Sequence, residues 1–173
     1  EKYRYSPKKA SEKSKTRISQ TTSSTEYPYT GISKYSMKPA TYVECRENGQ
    51  ARKIQPDPAK AESLRDTAQA RKEFLAQKIT AKNANFIFEG LYSSLLELLH
   101  AHLARRGIRI ENHICIGYYL RDELKQQRLH REFDDCRYKR NALVYYGEQM
   151  PEKTAKESIR KVQRLITKIA ELG

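Results

Sequence analysis

Phe133-Asp-Asp-Cys-Arg-Tyr-Lys-Arg-Asn-Ala-Leu-Val-Tyr-Tyr-Gly147 reads as one helix with an arginine where an apolar residue belongs. Leu129, Phe133, Cys136, Arg140 and Leu143 follow the alternating four-three spacing that puts side chains on one helix face, so the pattern aims Arg140 inward. A charge on an apolar stripe is costly unless something pairs with it. Its helical neighbours Cys136, Arg137, Leu143 and Val144 include no acid. The partner must therefore come from another helix, a second subunit or a bound phosphate, and the functional question turns on which.

Working outward, the chain punctuates itself as helices. Asp57-Pro58 is an N-cap followed by proline at the first helical position, and Ala61, Leu64, Ala68, Leu75 and Ile79 make an apolar face to about Lys78, with Phe74 beside it. After a polar joint at 80–83, Leu91, Leu95, Leu98, Leu99 and Leu103 mark the longest and most hydrophobic helix. It ends at Arg105-Arg106-Gly107, cations and a glycine at a C-terminus. A third helix opens at His113, with Glu111 and Asn112 available as caps; its Gly117 points to a close helix crossing. The fourth is the opening stretch, ending near Gly147. Pro151-Glu152 begins a fifth with Ala155, Ile159, Val162, Ile166 and Ile169 on one face. The expected fold class is all-α, an up-and-down bundle of four to five helices with no β-sheet, occupying 54–173.

Ahead of the bundle, residues 1–53 read as a disordered basic segment, and residues 38 to 56 as an irregular lead-in to the first helix with an Asn48-Gly49 turn. The first methionine is Met37, which suggests that translation starts there and that 1–36 is an upstream extension; the alternative is a basic arm that touches nucleic acid. The formal charge is +13, from 34 Lys and Arg against 21 Asp and Glu, which favours an acidic partner. About half of the excess lies in residues 1–56, however, so the charge alone does not indicate a nucleic-acid enzyme. Cys45, Cys115 and Cys136 are odd in number and lack C-x-x-C spacing, arguing against a disulfide framework and a zinc site and for a reducing cytosol. There is no apolar run long enough for a membrane span and no secretory signal pattern, so a cytoplasmic location is expected.

Few residues offer chemistry. His100 and His102, two apart, point to different faces and cannot form the i, i+4 metal pair. His113 at a helix start and His130 one turn before Asp134 read as capping, packing or solvated histidines. No glycine-rich phosphate loop, G-x-S-x-G or other hydrolase signature is present, and no metal or cofactor is called for. What remains is Arg140 with Arg137 one turn earlier, Asn141 adjacent, and Tyr145 and Tyr146 about one turn later. The planar guanidinium binds phosphate bidentately and keeps its charge.

From roughly Ile54 to Leu172 the chain resembles the HEPN domain, a small helical bundle of prokaryotic toxin and defence systems. The resemblance rests on Pro56-Asp57-Pro58, the Leu-rich second helix ending Arg105-Arg106-Gly107, the Asn112-His113 opening and Arg140-Asn141-Ala-Leu-Val-Tyr-Tyr-Gly147. Active members carry an arginine, a polar neighbour and a histidine after four to six further positions. Two subunits pair so that both motifs face one cleft, and many cut RNA without metal. Arg140 matches the arginine and Asn141 the polar neighbour, while Tyr145, Tyr146 and Gly147 occupy the places open to the histidine. A histidine pKa of about 6.5 suits proton transfer at neutral pH, and a tyrosine pKa of about 10 does not.

The resemblance implies a homodimer with a phosphate- or RNA-binding cleft, in which Arg140, Asn141 and Tyr145 stand at the catalytic positions and Arg137, Arg140, Asn141 and Tyr146 contact the phosphate or nucleic acid. The activity implied is a weak or degenerate metal-independent endoribonuclease of the toxin–antitoxin or defence type. A second reading is a non-catalytic nucleotide- or nucleic-acid-binding partner of a small nucleotidyltransferase antitoxin. Some such partners are adenylylated on a tyrosine after the motif, at a position that is Gly147 here and adjoins Tyr145 and Tyr146. A third is a structural helical dimer in which Arg140 pairs with Glu89, Glu97 or Asp122.

Overall fold

The structure is a computed structural model and describes residues 39–172. In chain order the elements are α1 (Tyr42–Glu47), β1 (Ala51–Lys53), α2 (Pro58–Phe74), α3 (Ala84–Arg105), β2 (Ile108–Ile110), α4 (His113–Tyr118), α5 (Gln127–Tyr146) and α6 (Glu152–Ala170). Helix α4 runs on into a π turn, Tyr119–Glu123. The described chain is therefore mostly helical. It does contain a sheet, which corrects the expectation of none: β1 and β2 pair antiparallel with Ala51 opposite Ile110 and Lys53 opposite Ile108. Three-residue strands are too short to show an alternating pattern, so their pairing is visible only in three dimensions.

Helix α3 is the centre. It buries Phe88, Leu91, Tyr92, Leu95, Leu99 and Leu103 almost completely, and α2, α5, α6 and β2 all pack against it. Burying such side chains is worth about 1.5–3 kcal/mol each. Helix α6 contributes Ile159, Val162, Leu165 and Ile169, and α5 contributes Leu129, Phe133 and Cys136. The stripe that predicts an inward Arg140 thus holds as far as Cys136; beyond it α5 leaves the core, and Arg140 and Leu143 are only half-buried.

Capping chemistry sets several boundaries. Asp57 accepts a hydrogen bond from the Lys60 amide at 2.9 Å, and Asn112 accepts one from the Cys115 amide at 2.8 Å. Helix α2 stops at Phe74, short of the expected Lys78, and Phe74 itself is 81% exposed. Gly107 ends α3 with φ +63°, and a Cβ there would lie 2.5 Å from the Ile54 carbonyl oxygen. Only glycine allows that approach, which lets the Ile54 amide donate to the Gly107 carbonyl at 2.8 Å and ties the ribbon to the end of α3. Gly117 marks the expected close crossing: a Cβ there would meet Nδ1 of His130 on α5 at 3.2 Å.

Structured chain begins well before Asp57. The segment read as an irregular lead-in forms α1 and β1, and Thr41 caps α1 by accepting from the Glu44 amide at 3.2 Å. Asp122 of the π turn accepts from the Tyr42 amide at 2.8 Å, and Arg121 donates to the Ala40 carbonyl at 2.7 Å. The readings made for residues 1–36, including a start at Met37, lie outside the described residues.

Cys45 of α1 and Cys115 of α4 form a disulfide with Cα atoms 5.9 Å apart, and Cys136 is a buried free thiol. This corrects the cysteine reading. An odd cysteine count does not exclude one bridge, and partners 70 residues apart leave no local spacing to recognise. It also removes the argument for a reducing compartment, since that argument rested on unpaired thiols. Among the described residues no helix is long and apolar enough to cross a membrane.

Closing a loop of this length by a bridge stabilises a fold by about 2–4 kcal/mol. Reduction with a dithiol, or Cys45→Ser with Cys115→Ser, is expected to lower the urea-unfolding free energy by about that amount. An unchanged midpoint in reducing and non-reducing urea titrations would show that the bridge does not constrain the unfolded chain.

Candidate functional site

The site grows from α5, whose exposed edge carries the residues singled out in the sequence. Arg137 is anchored by Asp134, one turn earlier, with a 2.7 Å ion pair and a side chain only 13% exposed. Arg140 lies one turn further on. Its Nη1 donates to the Tyr145 hydroxyl at 3.2 Å, and its guanidinium carbon sits 5.4 Å from that ring's centre. Among the described residues no carboxylate is within ion-pairing distance of Arg140. The acids considered as partners are placed elsewhere: Glu97 holds Arg71 at 2.6 Å, Asp122 holds Arg121 at 2.6 Å, and Glu89 forms no ion pair among the described residues.

Of the other α5 candidates, Asn141 is half-buried and forms no side-chain hydrogen bond among the described residues, while Tyr146 is 76% exposed. The structure therefore brings Arg140 and Tyr145 together, sets Arg137 beside them on an acid of its own helix, and leaves Asn141 and Tyr146 unengaged.

It also brings in a residue that sequence reasoning set aside. His113, at the start of α4, lies against Tyr92 of α3, with the Tyr92 hydroxyl 3.4 Å from its Nδ1. Tyr92 is fully buried and stacks on Phe133 of α5, with ring centres 6.0 Å apart and planes 22° apart. Burial raises the Tyr92 hydroxyl's pKa, opposed by the nearby charges of Arg137 and Arg140. Burial is likewise the main cause that pushes His113 down from 6.5 to about 4, followed by the charge of Arg140, then His100, then Arg137. His113 is therefore neutral at pH 7, within electrostatic reach of the Arg140 and Arg137 guanidinium groups. Burial, then Lys60, lowers His100 as well.

The hydroxyl and ring nitrogen of the Tyr92–His113 pair can exchange donor and acceptor roles. If Nδ1–H donates to Tyr92, Nε2 keeps its lone pair and can accept a proton. If the hydroxyl donates to Nδ1, Nε2–H is a donor. The pair can thus present either form of the ring to a ligand. The only cue in the sequence is that His113 follows an N-cap asparagine; its nearness to Arg140, 27 positions later, comes from the crossing of α4 over α5.

The other histidines are structural in their contacts. His102 is buried, with Nε2 3.2 Å from the Tyr119 hydroxyl, and His130 packs on Tyr118 and Gly117. Among the described residues no group of three or more His, Cys, Asp or Glu is placed to hold a metal ion. Compared with family models, curated proteins and solved structures, the chain matches none.

The depressed pKa of His113 has a pH signature. Below its ordinary 6.5 the unfolded chain binds a proton that the folded site refuses until about pH 4, so stability is full above 6.5, falls between these values, and loses no more below. His100 and His130 are lowered too and act with the same sign. His113→Asn is therefore expected to flatten, without abolishing, the decline in thermal midpoint across that interval. Parallel pH–stability curves for the two proteins would refute a depressed His113.

Proposed function

We propose that the chain is a HEPN-like RNA-binding bundle domain that works as a homodimer and cuts RNA as a metal-independent endoribonuclease. The observation that carries this is a half-buried Arg140 that has no carboxylate partner among the described residues and is bonded to the Tyr145 hydroxyl instead, with His113 within electrostatic reach. An arginine left without an acid is suited to a phosphodiester, which it can hold bidentately.

In this mechanism His113 takes the role that the motif position Tyr145 cannot. The neutral ring removes the proton from a ribose 2′-hydroxyl, and that oxygen attacks phosphorus as the bond to the 5′-oxygen breaks; the 5′-oxygen takes a proton from water, and the His113 imidazolium gives its proton to the hydroxide so formed. The products are a 2′,3′-cyclic phosphate and a 5′-hydroxyl. Arg140 opposes the charge that builds on the phosphoryl oxygens, and the Tyr145 hydroxyl orients its guanidinium. A bound phosphodiester would also offset the Arg140 and Arg137 charges that depress His113, moving its pKa back toward the range where a base works well. Pairing of two copies through the exposed end of α5, where Tyr145 and Tyr146 are open and Val144 lines a groove of about 260 Å³ together with Phe86 of α3, would set two such sites in one cleft.

A second reading has one observation in its favour, the exposure of Tyr145 and Tyr146 at 67% and 76%. Both are open to a modifying enzyme, as a non-catalytic partner of a nucleotidyltransferase requires. An unchanged intact mass after incubation with ATP and a transferase encoded beside this gene would remove it.

The cleavage assay uses single-stranded RNA in the presence of a chelator. Arg140→Ala is expected to lower cutting by about 10²–10³-fold, and His113→Ala by at least about 10²-fold. Tyr145→His restores the family's four-residue spacing and is expected to recover part of the activity in the His113→Ala background. Equal cutting by wild type and Arg140→Ala would overturn the nuclease reading.

A further inference from the structure

Helices α5 and α6 pack side by side, and Asp135 in the middle of α5 accepts a hydrogen bond from Lys161 in the middle of α6. Beyond that contact, between the N-terminal half of α5 and the C-terminal half of α6, the seam opens into a groove of about 520 Å³. Leu129 gives the groove an apolar patch, and Arg128, Arg164 and Lys168 give it three cations. The carboxylate that lines it, Glu132, is taken, since Arg128 donates to it at 3.0 Å. Lys168 is held by Glu171 at 2.9 Å, with both side chains more than half exposed. Arg164 is exposed and forms no ion pair among the described residues.

The cations continue past the groove. On α6, Arg160, Arg164 and Lys168 recur every four residues and are all exposed, so they stand in one row with a step of roughly 6 Å, four residues at about 1.5 Å each. Arg160, too, forms no ion pair among the described residues. Where the helices touch, Lys139 of α5 donates to Asp135 at 2.9 Å and Lys161 donates to the same oxygen, so one carboxylate serves two ammonium groups. An exposed pair such as Lys168–Glu171 is weak and screened by salt, so a phosphate can take the acid's place. A single bound ion needs donors that converge on one point. A row of cations with a regular step suits a polymer that carries a charge on every repeat.

We propose that the α5–α6 seam binds the phosphodiester backbone of a nucleic-acid strand, with Arg164 and Lys168 on neighbouring phosphates and Arg160 continuing the track. Contacts of this kind position a strand and read no sequence. The surface is apart from the Arg140 site: Arg128 and Arg140 are twelve residues apart on α5, roughly 18 Å at about 1.5 Å per residue. The seam therefore stands or falls separately from the cleavage reading.

The test is fluorescence anisotropy with the full chain and a labelled single-stranded oligoribonucleotide carrying 2′-O-methyl sugars, which binds but cannot be cut through the 2′-oxygen. Arg164→Ala with Lys168→Ala, both exposed and so compatible with folding, is expected to weaken binding and to reduce the slope of log affinity against log salt by about 1.4, two contacts at about 0.7 each. Lys53→Ala with Lys82→Ala removes the same charge from exposed positions elsewhere and is expected to leave the slope as in wild type. A wild-type slope in the seam variant overturns the proposal. So does an equal loss in both double variants, because attraction to a chain of formal charge +13 is then diffuse. Poly-glutamate is expected to bind far more weakly than the oligonucleotide; equally tight binding that the seam variant loses assigns the surface to an acidic protein and overturns the nucleic-acid reading. If Arg140→Ala weakens binding while the seam variant binds as wild type, the phosphate site stands and the seam falls. The reverse result keeps the seam and takes Arg140 off the strand's path.

Discussion

Helix α3 is apolar on nearly every face, and a helix of that kind must be covered on all sides to stay out of water. Every other main element answers this requirement. Helices α2 and α6 cover most of it, α5 and β2 cover the remainder, and α4 closes over the gap between β2 and α5. The arrangement leaves the polar atoms of α3 few places to go. Tyr92 settles its ring on Phe133 and its hydroxyl on His113, so the need to house one phenol inside a core draws α3, α4 and α5 to a single point within reach of the Arg140 charge. His100, two turns further along α3, surfaces at the edge of the same cover.

The contrast between Arg137 and Arg140 follows from where α5 leaves that core. Arg137 is mostly buried and has Asp134 on its own helix, an ion pair that satisfies the charge locally. Arg140 lies one turn further out, with a phenol rather than a carboxylate for company. Bare water can solvate part of it, so the position is tolerable without an acid, and the absence of one leaves a cation that an anionic ligand can complete. His113 stays neutral mainly because it is partly buried, and then because the Arg140, His100 and Arg137 charges oppose a further positive one.

Features of this fold that follow periodic or local rules were legible in the residues, and those that join distant parts of the chain or have no period were not. The leucine spacing of α3, its Gly107 stop, the Asp57 and Asn112 caps and the Gly117 crossing all correspond to local rules with strong signals. The three-residue strands, with Ala-Arg-Lys facing Ile-Arg-Ile, carry no periodic signal and exist because Gly107 and the end of α3 hold them together. The Cys45–Cys115 bridge and the Tyr92–His113 contact join parts of the chain that are 70 and 21 positions apart, information that periodicity does not contain. Arg140 falls between these cases. Its helix and its face were readable, but the depth of burial depended on how far α5 follows α3.

The disulfide also divides the described chain topologically, into a covalent ring from Cys45 to Cys115 and open arms on either side. Tyr92, His100 and His113 all belong to the ring. Arg137, Arg140 and Tyr145 belong to the arm that follows it. The histidine half of the site thus lies within a covalently closed loop, whereas the arginine half is held by the non-covalent contacts of α5, its apolar packing and the Asp135–Lys161 ion pair to α6. The two halves therefore differ in what disrupts them: reduction of the bridge acts on the segment that carries Tyr92 and His113, and loss of α5 packing acts on the segment that carries Arg140.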